Sequence, residues 1–309
     1  MHINVSHVTT YHYEEPPKRI IQMLRLTPRA YDGQAVSDWQ IDLNCDADLI
    51  EKTDPYGNYC HLLTVETPPI ELVITAGGRI DTENMNGIVS GITEPLDPLT
   101  YCRDTELTRA NGAIVEFAEK AAGDADTDLA RTHALLAALN DRIEFSPGAT
   151  DSTTTAIEAF EQGHGVCQDL AHLFCAASRS LDIPARYVSG HLLRSDGENR
   201  QPAAHAWAEA WISDLGWVAF DPANGISADE NYIRIAVGPD YRAAAPMVGN
   251  RVGGGMETLR VDVLTEPGRS RQRQSQSQSS GSGSQSQSQS QSGSSSQAQG
   301  SQAQGQSQQ

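Results

Sequence analysis

Cys167, His205 and Asp221 are the residues whose types could together perform nucleophilic chemistry. A cysteine becomes a strong nucleophile when a histidine takes its proton, and a carboxylate bonded to Nδ1 of that histidine fixes the tautomer of the ring. The residues are far apart in the chain, so the fold must bring them together. The sequence around each one predicts an element that would do so.

Cys167 stands at the start of a predicted helix. The residues after it place apolar side chains at the spacing of one helix face: Leu170, Leu173, Phe174, Ala177 and Leu181. A polar turn, Gly163-His164-Gly165, precedes the cysteine, and Pro184 stops the helix. Because the first turn of a helix has unpaired N–H groups and the positive end of the macrodipole, this position favours a thiolate over a thiol.

His205 and Asp221 belong to two predicted strands. Residues 205–211, HAWAEAW, alternate large and small side chains, and residues 217–220 form a second strand that Asp221-Pro222 ends. Residues 213–216 are a natural tight turn between them. In an antiparallel hairpin the start of one strand lies beside the end of the next, so we expect His205 and Asp221 to be close. The pattern predicts a nucleophile, a base and an orienting carboxylate.

Each of these residues also has a plainer interpretation. Free cysteines are usually buried and inert, a single histidine in a strand is more often structural, and Asp221 could simply end its strand. His164 and His191 compete with His205 for the role of base. The remaining cysteines lack a CxxC pair, and Cys167 has no standard zinc spacing to neighbouring histidines, so we expect no metal and no other cofactor.

An oxyanion formed by attack of the cysteine would need hydrogen-bond donors. The backbone N–H of Cys167 is one donor by geometry. Gln162 is a candidate for the second donor, although it could equally be the polar end of a short helix, and His164 could line the mouth of the cleft. We expect Asp169 to stabilise the helix N-terminus rather than to take part in the chemistry.

The motifs around these residues resemble those of the bacterial transglutaminase-like proteins, which belong to the papain-like cysteine enzyme superfamily. They are GHGVCQD at 163–169, IPARYVSG at 183–190, HAWAEAW at 205–211 and GWVAFDP at 216–222. LTPR at 26–29 and DPYGN at 54–58 resemble the β-rich N-terminal region that accompanies this core in bacteria. The family pattern after the aspartate usually reads DPTN, whereas this chain has Ala223 in place of the threonine.

The resemblance implies an acyl-transfer enzyme that acts on a peptide or protein through a thioester on Cys167. With water as acceptor the enzyme would be a peptidase or amidase, and with a primary amine it would be a transglutaminase. The same three residues serve both reactions. Bacterial members are commonly regarded as cysteine proteases, so the resemblance favours hydrolysis. A binding module that retained the fold without the activity is a third hypothesis.

The pattern of elements predicts an α+β protein. Residues 1–100 are predicted to form a β-rich N-terminal domain and linker. Short alternating strands up to about residue 85 predict an antiparallel β-sandwich, and residues 86–105, rich in glycine and proline, predict the linker. For residues 101–268 the resemblance implies a papain-like or transglutaminase-like core, in which the Cys167 helix packs on an antiparallel sheet. Residues 269–309 consist mainly of Ser, Gln and Gly, so we expect a disordered tail.

The composition limits which classes of partner and which cellular compartment we expect. The net charge is −18, and residues 269–309 carry three arginines and no acid, so residues 1–268 carry −18 − 3 = −21. This balance disfavours nucleic acid and anionic membranes as partners. Lysine is scarce, which is compatible with adaptation to high salt or with an ordinary acidic protein. Five cysteines without regular spacing, and no predicted signal peptide or membrane span, indicate a reducing cytoplasm.

Overall fold

The computed structural model describes residues 1–268. The predicted disordered tail at 269–309 lies outside the described residues. No helix within residues 1–268 has the length and apolar character needed to cross a membrane.

Strands dominate the first part of the chain and alternate with helices afterwards. In chain order the first strands are β1 (His2–Tyr13), β2 (Arg19–Leu24), β3 (Gln34–Leu43), β4 (Asp48–Thr53), β5 (Tyr59–Val65), β6 (Glu71–Thr82) and β7 (Ile88–Val89). After a short 3-10 helix, Pro98–Cys102, come α1 (Gly112–Ala122), α2 (Asp128–Arg142), β8 (Glu144–Phe145), α3 (Ala156–Gln162), β9 (His164–Gly165) and α4 (Cys167–Ser180). The remaining elements are β10 (Ala185–Leu192), β11 (Arg200–Gln201), β12 (His205–Ile212), β13 (Gly216–Asp221), β14 (Ile226–Ser227), β15 (Tyr232–Gly238), α5 (Tyr241–Ala244), β16 (Met247–Val252) and β17 (Glu257–Pro267).

The N-terminal strands form two antiparallel sheets that share an apolar core. A five-stranded sheet has the order β11-β17-β1-β6-β3, and a four-stranded sheet has the order β16-β2-β5-β4. Alternate residues of β1, β2 and β6 point inward, as their period-two patterns require. The inward side chains include Tyr11, Ile20, Leu63, Leu72 and Ile74, all buried. The predicted β-sandwich is therefore confirmed.

The strand pairing crosses the predicted division at residue 100. β16 and β17 come from the end of the chain range assigned to the core, yet they pair with β2 and β1 of the N-terminal sheets. In the other direction β7, in the predicted linker, pairs with β13 of the core. Local patterns identify strands but not such distant partners. Strands from both sides of residue 100 therefore share sheets, and the division into 1–100 and 101–268 stays a prediction.

The core consists of α4 packed against a central antiparallel sheet with the order β14-β13-β12-β10-β15. Ala206, Ala208 and Ala210 occupy the face of β12 that meets α4. Their small side chains allow the helix to lie close to the sheet, and α1, α2 and α3 pack around α4. The predicted mixture of a nucleophile helix and an antiparallel sheet is confirmed, although β15 is a strand that the sequence patterns did not predict.

Candidate active site

The hairpin of β12 and β13 brings His205 and Asp221 together. His205 is the first residue of β12 and Asp221 the last of β13, and the two strands pair directly through Ala208 and Phe220. The imidazole Nε2 lies 2.6 Å from Asp221 Oδ2. The predicted proximity of the two residues is therefore present in the fold.

The ring nitrogen that meets the carboxylate differs from the expected one. Asp221 contacts Nε2 of His205, whereas the sequence-based expectation had the carboxylate on Nδ1. His205 begins β12 and Asp221 ends the neighbouring β13, and the two side chains meet across the hairpin through Nε2. This arrangement leaves Nδ1 as the nitrogen available to Cys167.

Cys167 begins α4 and is half-buried beside the histidine. Burial alone would lower the pKa of His205, but the hydrogen bond to Asp221 and the neighbouring Cys167 side chain outweigh that effect and raise the pKa to about 10. His205 therefore carries a proton at neutral pH. The imidazolium lies between the buried Asp221 carboxylate and the Cys167 side chain.

Asp221 is fully buried and has a hydrogen-bond donor for each of its oxygens. Oδ2 accepts from His205 Nε2, from Tyr232 Oη at 2.8 Å and from Asn224 Nδ2 at 2.7 Å. Oδ1 accepts from the backbone N–H groups of Ala223 at 2.9 Å and Asn224 at 3.2 Å. Burial would raise the pKa of Asp221, but these donors hold it below its usual value. Ala223 thus contributes through its backbone, although it lacks the hydroxyl of the usual family pattern.

Tyr232 and Trp207 are parts of this site that sequence reasoning missed. Tyr232 is the first residue of β15, and its ring packs edge-on against Trp207 at 5.3 Å between centroids. The Trp207 ring in turn lies against His205, with centroids 6.1 Å apart. The only signal in the sequence was the alternation of Tyr232 and Arg234 with isoleucines, which is compatible with a strand but does not identify its neighbours.

Asp169 fixes the chain just before the cysteine. Its Oδ2 accepts the backbone N–H of Val166 at 2.8 Å and the hydroxyl of Thr150 at 2.6 Å. Gly165 makes this possible, because a Cβ at that position would lie 2.8 Å from the Cβ of Asp169. Burial raises the pKa of Asp169 despite these two donors. Asp169 holds the first turn of α4, as the sequence predicted.

The remaining candidates lie in different surroundings. Gln162 is exposed at the end of α3, and His164 is half-buried in β9; within residues 1–268 neither side chain makes a hydrogen bond. His191 is buried, and its pKa lies well below the usual value because burial disfavours its charge. Its ring contacts His7 of β1. The described part of the chain contains no cluster of three or more metal-ligating side chains.

Comparison with known proteins agrees with this architecture. Residues 115–222 match the family described as the transglutaminase-like superfamily, and residues 3–81 match the bacterial transglutaminase-like N-terminal region. The crystal structure of a candidate cysteine protease from Cytophaga hutchinsonii has the same fold. It superposes with a TM-score of 0.69 at 20% identity and covers 87% of this chain and 92% of that one.

Two relatives are similar in sequence. The uncharacterized protein ML0607 of Mycobacterium leprae is 31% identical over 279 residues, which cover 84% of this chain and 97% of the relative. A protein-glutamine gamma-glutamyltransferase of Pseudomonas aeruginosa is 30% identical over 139 residues, or 38% of this chain and 20% of that enzyme. With both family regions present in order and on the expected fold, this chain belongs to the transglutaminase-like superfamily, with the bacterial transglutaminase-like N-terminal region.

Proposed function

We propose that the chain is a cysteine-dependent acyl-transfer enzyme whose catalytic residues are Cys167, His205 and Asp221. The observation that carries the proposal is the contact of His205 Nε2 with the buried Asp221 carboxylate at 2.6 Å, with the Cys167 side chain beside the same ring. A structural histidine in a strand does not need a buried carboxylate that four further hydrogen-bond donors stabilise. That arrangement stabilises an imidazolium, which a Cys–His nucleophile requires.

The first half-reaction would acylate the cysteine. The Cys167 sulfur attacks the carbonyl carbon of an amide, and the carbonyl oxygen becomes an oxyanion. The backbone N–H of Cys167, at the first position of α4, is a donor for that oxygen, because helix geometry leaves it without an intrahelical acceptor. When the C–N bond breaks, His205 gives its proton to the leaving amine, and a thioester remains on Cys167.

The second half-reaction would release the acyl group. His205, now neutral, takes a proton from the acceptor as the acceptor attacks the thioester carbonyl. The C–S bond then breaks, and the thiolate and imidazolium are restored. Asp221 holds the ring in one orientation through both steps and stabilises its charge.

We favour water as the acceptor, so that the enzyme hydrolyses peptide or amide bonds. The similarity to a protein-glutamine gamma-glutamyltransferase supports a second candidate, transfer to a primary amine. The strongly negative surface of residues 1–268 would attract a cationic amine or a basic peptide in either case. The two reactions differ in the product, which can be measured directly.

Mass spectrometry of peptide libraries incubated with the protein distinguishes the candidates. Cleavage or deamidation without added amine indicates hydrolysis, whereas amine incorporation that grows with amine concentration indicates transfer. Cys167→Ala is the control and should abolish either product. Absence of any product from a folded protein under both conditions would favour the binding module instead.

Thiol labelling tests the nucleophile without a substrate. Brief treatment with iodoacetamide near pH 6 should label Cys167 before the other cysteines, because burial raises the pKa of Cys45, Cys60, Cys102 and Cys175. His205→Ala should slow the labelling of Cys167. Earlier labelling at another cysteine, read by peptide mapping, would contradict the assignment.

A further inference from the structure

Strand β15 is the outer edge of the central sheet, yet its backbone is not left open. β10 pairs with one side of it, and no strand within residues 1–268 pairs with the other. An unpaired edge normally presents free N–H and C=O groups to solvent or to another chain. Here β15 is buried along its whole length, from Tyr232 to Gly238.

Side-chain amides of the N-terminal region form hydrogen bonds with the edge of β15 that no strand of the described residues pairs with. The Gln34 amide donates to the Arg234 carbonyl at 2.9 Å and accepts from the Arg234 N–H at 2.8 Å. The Asn58 amide does the same for Val237, at 2.7 Å and 2.8 Å. Each amide thus imitates one residue of a neighbouring strand, and both side chains are buried, so water does not compete for these bonds.

A third contact from the same region lies just before β15. The hydroxyl of Thr82, at the end of β6, donates to the Glu230 carbonyl at 2.5 Å. Tyr56, in the predicted turn between β4 and β5, packs against the apolar cluster that contains Trp207 and Tyr232. The N-terminal region therefore holds the chain on both sides of Tyr232.

Tyr232 connects β15 with the candidate active site. Its hydroxyl donates to the same Asp221 oxygen that binds His205, and its ring packs on Trp207. A hydroxyl at 2.8 Å shares the negative charge of the carboxylate and limits how strongly that charge attracts the imidazolium. The position of β15 therefore determines whether the Tyr232 hydroxyl reaches Asp221.

We propose that Tyr232 is a positioning residue for the Asp221–His205 pair and that Gln34, Asn58 and Thr82 of the N-terminal region hold it in place through β15. The N-terminal β-sandwich is then part of the catalytic apparatus rather than a neighbouring module. This inference rests on the proposed function, because it assigns the sandwich a role in the charge balance of the proposed triad. The titratable groups around the pair are Cys167 on α4, Tyr232 on β15 and His191 on β10, and burial keeps His191 neutral.

The ratio of Cys167 labelling by iodoacetate to labelling by iodoacetamide measures the protonation of His205. Both reagents alkylate the thiolate, but only iodoacetate carries a negative charge that an imidazolium attracts. In the wild-type protein this ratio should fall as the pH rises and His205 loses its proton, with a midpoint near the His205 pKa of about 10. Circular dichroism at each pH checks that the protein remains folded.

Tyr232→Phe retains the ring and removes the hydroxyl. Asp221 then keeps more of its charge for His205, so the midpoint should move upward by about half a pH unit. Thr82→Val and Gln34→Met should move it in the same direction by a smaller amount. Gln22→Met is the matched control for Gln34→Met. Gln22 is a buried glutamine of β2, whose partners in the sheet are β5 and β16, so this change should leave the midpoint unchanged.

An unchanged midpoint in the Tyr232→Phe protein overturns the inference. The role assigned to the N-terminal region is overturned if the midpoint is the same for Thr82→Val, Gln34→Met and the control Gln22→Met. A purely structural role would lower the melting temperature of the first two variants without moving the midpoint. His205→Ala tests the proposed function separately. A wild-type ratio that this change does not alter would refute the Cys–His pair itself.

Discussion

At the scale of the residue, the chemistry of the site depends on how charge is shared among a few side chains. His205 is charged because Asp221 is charged, and Asp221 remains charged in a buried position because of its hydrogen-bond donors. The types and spacing of the residues were sufficient to predict that His205 and Asp221 lie together, although not that Nε2 would be the nitrogen in contact. Tyr232 was not predictable in this way, since nothing near it in sequence indicates that it reaches Asp221.

The raised pKa of His205 links stability to pH. A histidine whose pKa is raised on folding from about 6.5 stabilises the native state fully below pH 6.5, and this contribution is lost as pH rises through the folded pKa of about 10. We expect the free energy of unfolding, measured in urea, to fall between pH 6.5 and 10 more steeply in the wild type than in a His205→Gln variant. General charge repulsion at high pH affects both proteins alike. Parallel curves for the two proteins would contradict a charged His205 in the native state.

At the scale of the element, local signals located most of the parts that position the site. The apolar period after Cys167, the stop at Pro184 and the turn before β13 predicted α4 and the β12–β13 hairpin. The sequence did not predict β15 because both faces of this strand are buried, so the alternation of its first four residues does not continue to its end. A bulge opposite Gly190 also shifts its register. Pairings such as β1 with β17 also lie beyond local reasoning.

Gly165 tests how tightly the start of α4 must be held. A Cβ there would lie 2.8 Å from the Asp169 Cβ, so Gly165→Ala should displace Asp169 from Val166 and Thr150. We expect a loss of about 1–3 kcal/mol in the free energy of unfolding, as for other overpacked sites. Iodoacetamide labelling of Cys167 should also become slower, because the first helix turn is no longer fixed.

Gly112→Ala provides the matched control. Gly112 is the first residue of α1, and a Cβ there meets no atom within 4 Å. The same substitution should therefore leave both stability and labelling almost unchanged. Equal effects of the two substitutions would refute the role assigned to Gly165 and Asp169.

At the scale of the whole molecule, the last strands of the described residues pair with the first ones. β17 pairs with β1 along the length of both strands, and β16 pairs with β2, so residues after the core complete the sheets that begin the chain. The N-terminal sheets in turn hold β15 through Gln34 and Asn58. Gln34 and Asn58 therefore support, through β15, a side chain in the candidate site, although both residues are more than 170 positions away from it in the chain.

Two truncations separate the residues that the fold needs from those that it does not. Removal of residues 269–309 takes away no apolar side chain larger than alanine, so the melting temperature and the Cys167 labelling rate should stay at the wild-type values. Removal of residues 257–309 deletes β17 as well. Its pairing with β1 and the buried Val263 and Thr265 are then lost, and the five-stranded sheet loses the strand between β11 and β1. We expect this shorter protein to unfold at a much lower temperature or to be insoluble, measured by circular dichroism. A large drop already on removal of residues 269–309 would mean that the tail carries a structural role that its composition does not indicate.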